Sequence, residues 1–147
     1  MASYHFSAQA VKRSEGRSMV AMAAYRAGQR LTDERRGIDV DFRRRRGVVH
    51  AEILAPEGSA DWLLDRETLW NGVERMETRR DAQLAREINM ALPYELNADE
   101  QLALVRSFVL EQFVSLGMVA DIAIHAPVIE KWDDPRNFHA HVLLTMR

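Results

Sequence analysis

Two-residue alternation of apolar and polar side chains runs through three segments of the chain and constrains its fold more than any other feature. In residues 138–146 every second residue is apolar, and His139 and His141 lie between them. Residues 119–125 and 85–92 repeat the pattern. Because successive side chains of a β-strand point to opposite faces, each segment is predicted to be a strand with one apolar face and one face that carries polar groups.

The rest of the chain supplies the other elements of one layered domain. Strands are predicted at residues 4–11, 48–54, 85–92, 119–125 and 138–146. Helices are predicted at 19–30, with an end near Gly28 or Leu31, from 59 or 61 to about 82, and at 97–116. Residues 32–46 are charged and poor in apolar side chains, which predicts a loop or a weak hairpin. The order β-α-β-α-β-α-β-β, with short connections, favours an α+β fold in which a mainly antiparallel five-stranded sheet has its helices packed on one face.

Length and composition bound the class of protein. The chain has 147 residues and no cysteine, so it is about the size of one domain and has no disulfide, thiolate metal ligand or cysteine nucleophile. No apolar run approaches the roughly 18 residues needed to span a bilayer, and the start of the chain lacks the features of a secretory signal. We therefore expect a soluble, cytoplasmic protein with a single domain over residues 1–147.

Polar and ionisable side chains gather on one face of the predicted sheet. If the three alternating strands are neighbours, this face is an open surface and a candidate site. It carries Glu87, Asn89, Asp121, His125, His139 and His141, with His5 added from the first strand.

Three of these histidines are spaced as metal ligands. His139 and His141 project in parallel about 6–7 Å apart at the backbone, and two imidazoles can bridge that gap to a shared cation. His125 offers a third nitrogen from the adjacent strand. Three neutral imidazoles leave the charge of a divalent ion uncancelled, so its open positions can polarise a phosphate oxygen. The alternative is a coincidence of surface histidines, because a His-x-His pair alone is a weak signal.

A site that polarises phosphate needs a nucleophile, and the chain has no serine elbow and no thiol. Tyrosine can form a covalent intermediate. Of the three tyrosines, Tyr4 falls on the apolar face of its strand and Tyr94 follows Pro93 in a turn. Tyr25 lies in the Ala-rich helix, where small neighbours let another molecule approach. The alternative is an ordinary aromatic residue on a packing helix, and spacing alone favours it.

Positive charge is concentrated near the beginning of the chain. The first 50 residues hold 11 of the 20 basic residues and only 5 of the 22 acidic ones. The densest cluster is the run Arg43, Arg44, Arg45 and Arg46. Such a cluster indicates either contact with a nucleic-acid phosphate backbone or a solvated loop before a strand.

Seven short motifs together resemble one known family. They are Tyr4–Ala8 (YHFSA), Ala23–Gly28 (AAYRAG), Asp81–Ile88 (DAQLAREI), Ala91–Pro93 (ALP), Gly117–Asp121 (GMVAD), Ala123–His125 (AIH) and His139–Val142 (HAHV). Over essentially its whole length the chain resembles the N-terminal relaxase domain of the MobA/MobL family, which is related to plasmid TraA relaxases within the HUH endonuclease superfamily. The combination is highly specific, whereas His-Ala-His alone is not.

The resemblance implies a relaxase-like palm fold and a metal-dependent DNA endonuclease and strand transferase. Such relaxases bind the hairpin and flanking single strand at a plasmid origin of transfer. A tyrosine attacks the scissile phosphate, which gives a 5′-phosphotyrosyl protein and a free 3′-hydroxyl, and the same site can religate the strand. A relaxosome accessory protein and a coupling protein are the implied protein partners.

The resemblance also implies roles for particular residues. Tyr25 carries the nucleophile role, and His125, His139 and His141 hold Mg²⁺ or Mn²⁺. We expect DNA contacts from Arg26 and from the run at residues 43–46.

Carboxylates near the ion are a further family feature. Glu87 matches one of them and is expected to be catalytic, and either it or His5 is expected to accept the Tyr25 proton. Some relatives have a second acid where this chain has Asn89, so a second-carboxylate role is in doubt, although an amide still forms hydrogen bonds. Asp121 is expected to orient a histidine.

Two other functions compete with a relaxase. A non-catalytic or truncated relaxase-like module would bind DNA at the origin or at its own promoter and cut nothing. A three-histidine hydrolase would act on a small molecule with which oligonucleotides do not compete. Relaxase domains usually continue past the His-x-His strand with helices that cover DNA, so we expect either a piece of a longer protein or a domain without that cover.

Overall fold

The computed structural model describes residues 6–146, and their fold confirms the predicted α+β class. The strands are β1 (Phe6–Lys12), β2 (Arg30–Asp33), β3 (Ile38–Asp41), β4 (Val48–Leu54), β5 (Gln83–Leu92), β6 (Ala120–His125) and β7 (Phe138–Leu144). The helices are α1 (Met19–Ala27), α2 (Arg66–Met76) and α3 (Ala98–Gln112).

Five strands form one antiparallel sheet in the order β1-β5-β7-β6-β4. The three strands with alternating sequences, β5, β7 and β6, are therefore neighbours. The register pairs His125 with His139, and it pairs His141 with Ala123 on one side and Asn89 on the other. Because directly paired residues share a face, these side chains lie on the same side of the sheet.

Helices cover both faces of the sheet, which differs from the single helical layer that the sequence predicted. α3 packs on the face that carries Ile122 and Val142. α1 and α2 pack on the histidine-bearing face, where Ala85 and Leu143 join their core. That face has polar groups at one end but apolar side chains at the other, and the apolar end requires cover. The histidines lie beyond this apolar cluster.

The boundaries of α1 follow from its capping residues. The Ser18 hydroxyl accepts the N–H of Ala21 at 3.1 Å and donates to Asp33 at 2.7 Å. Gly28 ends the helix with φ of 66°, a conformation in which an L-residue is strained. The helix therefore stops at Ala27 and is capped by Gly28, the earlier of its two predicted ends. The next residues form the β2–β3 hairpin, the second of the two structures predicted for residues 32–46.

α2 is much shorter than the predicted helix that ran to about residue 82. A 3₁₀ turn at Asp61–Leu64 precedes it, and Asp65 caps it by accepting the N–H of Thr68 at 3.0 Å. The helix ends at Met76, and residues 77–82 are irregular. The apolar spacing correctly identified the buried face, since Trp70 is fully buried, but it did not reveal where the caps fall.

α3 agrees with its sequence signals. Asn97 and Glu100 form a reciprocal capping box, and Gly117 closes the 3₁₀ turn that follows the helix. None of the helices within residues 6–146 combines the length and hydrophobicity that crossing a bilayer requires.

Candidate active site

Three imidazole rings converge at the end of the β6–β7 pair. The ligand nitrogens of His125, His139 and His141 all lie within 4.8 Å of one another. The ring centroids are 5.1 Å apart for His125 and His139, 4.6 Å for His125 and His141, and 4.9 Å for His139 and His141. The cross-strand pairing of His125 with His139 and the two-residue spacing to His141 produce this cluster. One cation could be shared among the three rings.

Each ring uses one nitrogen as a donor and keeps the other free. His125 Nε2 lies 2.8 Å from the backbone carbonyl oxygen of Arg26, and His139 Nδ1 lies 3.4 Å from that of Asn137. A carbonyl oxygen only accepts hydrogen bonds, so both of these nitrogens carry the proton. His125 Nδ1 and His139 Nε2 therefore keep their lone pairs, as a metal ligand requires.

His141 is oriented by the side chain of Asn89. Asn89 Nδ2 donates to a carboxylate oxygen of Glu87 at 3.3 Å, which fixes the direction of the amide. Asn89 Oδ1 therefore accepts the N–H of His141 Nδ1, and His141 Nε2 keeps its lone pair. The amide that replaces a second carboxylate in this chain thus positions a ligand histidine.

All three histidines are neutral at physiological pH. Burial lowers the pKa of His125 to about 4 and, together with the positive charge of Arg26, the pKa of His141 to about 2. Burial also lowers the pKa of His139. A neutral imidazole is the form that binds metal ions, so the cluster is ready to accept a cation without first losing protons.

Helix α1 brings Tyr25 next to this cluster. The carbonyl that contacts His125 belongs to Arg26, the residue after Tyr25. The Tyr25 side chain is 41% exposed. Its ring packs edge-to-face on Phe42 at 5.2 Å, and the Arg45 guanidinium carbon lies 3.9 Å from the ring centroid. The helix turn that carries this accessible phenol therefore touches the histidine cluster through the Arg26 carbonyl.

Glu87 lies on the same face but is already occupied by neighbouring donors. Its side chain is 1% exposed. One carboxylate oxygen accepts two hydrogen bonds from Arg26, at 3.1 and 2.9 Å, and the other accepts hydrogen bonds from Gln9 at 3.1 Å and Asn89 at 3.3 Å. The sequence analysis assigned Glu87 to catalysis and Arg26 to DNA contact as independent residues. In the structure the two side chains form an ion pair with each other.

The arginine run does not act as one uniform patch. Arg43 pairs with Asp41 at 2.8 Å, and Arg46 pairs with Glu130 at 3.0 Å. Within the described residues the side chain of Arg44 has neither an ion pair nor a hydrogen bond. Three of these guanidinium groups remain exposed beside the site, while the fourth, that of Arg45, stacks on Tyr25.

Two supporting residues differ from the expectation. Asp121 lies on β6 but accepts hydrogen bonds from Arg66 at 2.8 Å and from the Trp70 indole at 2.9 Å, so it anchors α2 instead of orienting a histidine. Its place near the start of β6, four residues before His125, explains the difference. His5 lies outside the described residues.

A comparison with known families agrees with this arrangement. The model described as "MobA/MobL family" matches residues 17–147, nearly the whole chain. The chain belongs to the MobA/MobL family.

Individual relatives cover the same region. The mobilization protein MobL of Acidithiobacillus ferridurans is 42% identical over 99% of this chain, and the conjugal transfer protein TraA of Rhizobium radiobacter is 41% identical over 100% of it. The chain spans 43% of that MobL and 14% of that TraA, so it corresponds to less than half of either relative.

A solved structure shares the fold. It is described as "Molecular Basis of Vancomycin Resistance Transfer in Staphylococcus aureus" and has a TM-score of 0.88 and 33% identity, covering 99% of this chain and 71% of the other. This similarity supports the relaxase-like fold that the sequence motifs predicted.

Two contacts of this MobA/MobL site were not apparent from the sequence. The bond between His125 and the Arg26 carbonyl depends on how the end of α1 meets β6, for which no local pattern exists. The stacking of Arg45 on Tyr25 depends on the loop after β3. Gln9, in contrast, could have been found, because two-residue alternation along β1 places it on the same face as His5.

Proposed function

We propose that this chain is the strand-cutting domain of a relaxase that nicks one DNA strand at an origin of transfer. The observation that carries the proposal is the hydrogen bond between His125 and the Arg26 carbonyl. It joins the histidine cluster to the helix turn that bears Tyr25, so one scissile phosphate can meet both a cation and a phenol.

The reaction is a transesterification. Tyr25 Oη forms a bond to the phosphorus, and the bond between phosphorus and the 3′ oxygen breaks. The phenolic proton is lost, the leaving 3′ oxygen takes up a proton, and the 5′ end stays attached as a phosphotyrosine. Because one phosphodiester replaces another, attack by a 3′-hydroxyl can reverse the reaction and religate the strand. Positioning and charge stabilisation are the main requirements of such a phosphoryl transfer.

The histidines would hold the metal ion. A bound divalent ion would neutralise charge on the non-bridging phosphate oxygens. Three nitrogen donors fit Mn²⁺ better than Mg²⁺, because magnesium prefers oxygen ligands and keeps most of its waters. Of the two ions expected for this family, we infer Mn²⁺ as the better match to this cluster.

We assign Glu87 to positioning instead of proton transfer. Both of its oxygens already accept hydrogen bonds, from Arg26 on one side and from Gln9 and Asn89 on the other. Glu87 would hold Arg26 and Asn89, and through Asn89 it would set the orientation of His141.

The exposed guanidinium groups would contact the DNA backbone. Arg43, Arg44 and Arg46 border the site and are the candidates for phosphate contacts with the flanking strand. Relatives named for mobilisation and conjugal transfer support the origin of transfer as the target. From the resemblance to relaxases we further propose that this DNA is bound in single-stranded or hairpin form, that accessory and coupling proteins are partners, and that the protein acts in the cytoplasm.

The deciding experiment traps the covalent intermediate. The 147-residue chain is incubated with Mn²⁺ and single-stranded oligonucleotides that tile the origin region of its mobile element, and denaturing gels are used to detect a protein–DNA adduct. We expect an adduct that a chelator abolishes and that Tyr25→Phe eliminates while DNA binding is retained. Tyr94→Phe, which removes another exposed phenol, is the matched control and should form the adduct normally.

An adduct that persists in Tyr25→Phe would disprove the assignment of the nucleophile. Salt-dependent DNA binding with no adduct in the presence of any divalent ion would instead identify a non-catalytic DNA-binding module. Failure of oligonucleotides to bind at all would leave a small-molecule hydrolase as the remaining explanation for the three histidines.

A further inference from the structure

The loop between β6 and β7 displays a fully exposed tryptophan. Trp132 is 95% exposed, and its φ of 63° is the one positive value for a non-glycine residue within residues 6–146. A bulky side chain rarely adopts this conformation. Both the exposure of a large apolar ring and the backbone strain cost free energy, and strained residues of this kind cluster at functional sites.

Trp132 is held on an ordered turn. The Lys131 N–H donates to the Val128 carbonyl at 3.0 Å, and the Trp132 N–H donates to the Ile129 carbonyl at 3.0 Å. The Asp133 carboxylate accepts the N–H of Val128 at 2.7 Å. The indole is therefore presented from a fixed backbone, which lowers the entropy cost of binding a partner.

The turn lies close to the histidine cluster. Its first anchor, Val128, is three residues from His125, so their Cα atoms are at most about 11 Å apart. Glu130 pairs with Arg46 at 3.0 Å, and the Ala126 N–H donates to the Gly47 carbonyl at 2.8 Å. These contacts fasten the loop to the arginine run beside the site.

An unpaired cation lies next to the indole. Two acidic groups of the loop are paired with arginines, Glu130 with Arg46 and Asp134 with Arg136 at 3.1 Å, and the Asp133 carboxylate accepts the Val128 N–H. The side chain of Lys131, next to Trp132, forms no ion pair or hydrogen bond with any described residue. An exposed aromatic face beside an unpaired cation is a combination that sequence-tolerant single-strand binding proteins use.

We propose that Trp132 is a stacking platform for a base of single-stranded DNA near the scissile phosphate. The proposal rests on the proposed function for the identity of the strand. The base would stack on the indole while Lys131 and Arg44 contact adjacent phosphates. Stacking is possible for any base, so this platform would hold the strand in place without reading its sequence.

The test separates binding from cleavage. Binding of the full chain to a short oligodeoxythymidylate is measured in EDTA by anisotropy, alongside an abasic oligonucleotide of the same length. Trp132→Gly should weaken binding to oligodeoxythymidylate by about 5- to 150-fold, the range that corresponds to the loss of one stacked base. Trp132→Phe should keep most of the affinity, and the abasic strand should bind Trp132→Gly and the unsubstituted chain about equally.

Two further measurements distinguish stacking from a structural role. Because glycine adopts positive φ without strain, Trp132→Gly should have a melting temperature equal to or above that of the unsubstituted chain. The matched control Trp62→Phe changes another exposed indole, at the 3₁₀ turn before α2, and should leave DNA binding unchanged. In that background the oligonucleotide should quench tryptophan fluorescence, and Trp132→Phe should remove the quench.

Three results would each contradict the stacking role of Trp132. They are unchanged DNA affinity in Trp132→Gly, an equal loss of affinity for the abasic strand, and a lowered melting temperature of Trp132→Gly. The covalent adduct is not needed for any of these readouts. If Tyr25 forms no adduct while Trp132→Gly still weakens binding, the cleavage chemistry fails and the stacking platform stands.

Discussion

The guanidinium carbon of Arg45 lies 3.9 Å from the centroid of the Tyr25 ring, and its Nη1 donates to the backbone carbonyl of Tyr25 at 2.6 Å. One side chain thus holds both the ring and the backbone of the candidate nucleophile. Phe42 contacts the ring edge-to-face at 5.2 Å. Tyr25 is therefore restrained on two sides although its side chain is 41% exposed. A restrained nucleophile loses less entropy when it reaches an in-line position.

Loss of this restraint should slow the chemical step. Cation–π stacking contributes about 0.5–2 kcal/mol, so Arg45→Gln should reduce the rate of adduct formation at saturating DNA by about 2- to 30-fold. Single-turnover gels at saturating oligonucleotide measure this rate.

Arg44→Gln is the matched control for Arg45→Gln. Arg44 has no side-chain partner within the described residues, so its substitution should weaken DNA binding and lower the salt slope by about one while leaving the saturated rate unchanged. Equal saturated rates for the two variants would show that Arg45 is only another phosphate contact.

The Arg26–Glu87 pair should dominate local stability. Glu87 is almost fully buried, and Arg26→Gln would leave its carboxylate without a cation. We expect a loss of about 2–4 kcal/mol in the free energy of unfolding, measured by urea denaturation. The double substitution Arg26→Gln/Glu87→Gln should recover much of this loss, because it removes the unpaired charge.

The exposed pair Arg43–Asp41 provides the comparison. Arg43→Gln should change the free energy of unfolding by less than about 1 kcal/mol, since exposed ion pairs contribute little.

The Arg26→Gln/Glu87→Gln variant also tests the cause of the effect. If it is no more stable than Arg26→Gln alone, the loss of stability comes from altered packing and not from an unpaired buried charge.

Periodicity predicted the parts of this molecule that depend on residue spacing alone. Alternation identified the face that His125, His139 and His141 share, because a two-residue repeat determines the face of a strand whatever its neighbours are. It did not reveal that Leu143, in the same alternating series, needs a helix above it, so the cover by α1 and α2 was missed. Helix ends failed similarly: the caps of α2 depend on Asp65, one of several polar residues before the apolar run.

The role of Asn89 should be visible in metal affinity. Its amide oxygen accepts the His141 N–H and fixes the ring with its free nitrogen directed away from β5. Loss of such an outer partner typically lowers metal affinity 10- to 100-fold, and we expect that range for Asn89→Ala in calorimetric titration with Mn²⁺. Asn137→Ala is the control, because His139 contacts the backbone carbonyl of Asn137 and not its side chain. Equal affinity in both variants would rule out an orienting role for Asn89.

The neutral histidines should make the metal-free protein sensitive to acid. Burial holds the pKa of His125 at about 4, below the value of about 6.5 in the unfolded chain. Between these two values the unfolded chain binds a proton that the folded chain does not, so stability falls as the pH drops from about 6.5 towards 4. Each such proton contributes a slope of about 1.4 kcal/mol per pH unit.

His125→Gln isolates this contribution. Glutamine can still donate to the Arg26 carbonyl but does not titrate, so the variant should lose stability less steeply than the unsubstituted chain over this range. Urea denaturation in EDTA at several pH values between 6.5 and 4 measures the difference between the slopes. The carboxylates that also titrate there are common to both proteins and largely cancel in the comparison. Equal slopes of stability against pH in the two proteins would mean that His125 takes up its proton as readily in the folded state as in the unfolded state. The neutral form of the cluster would then require the bound metal ion.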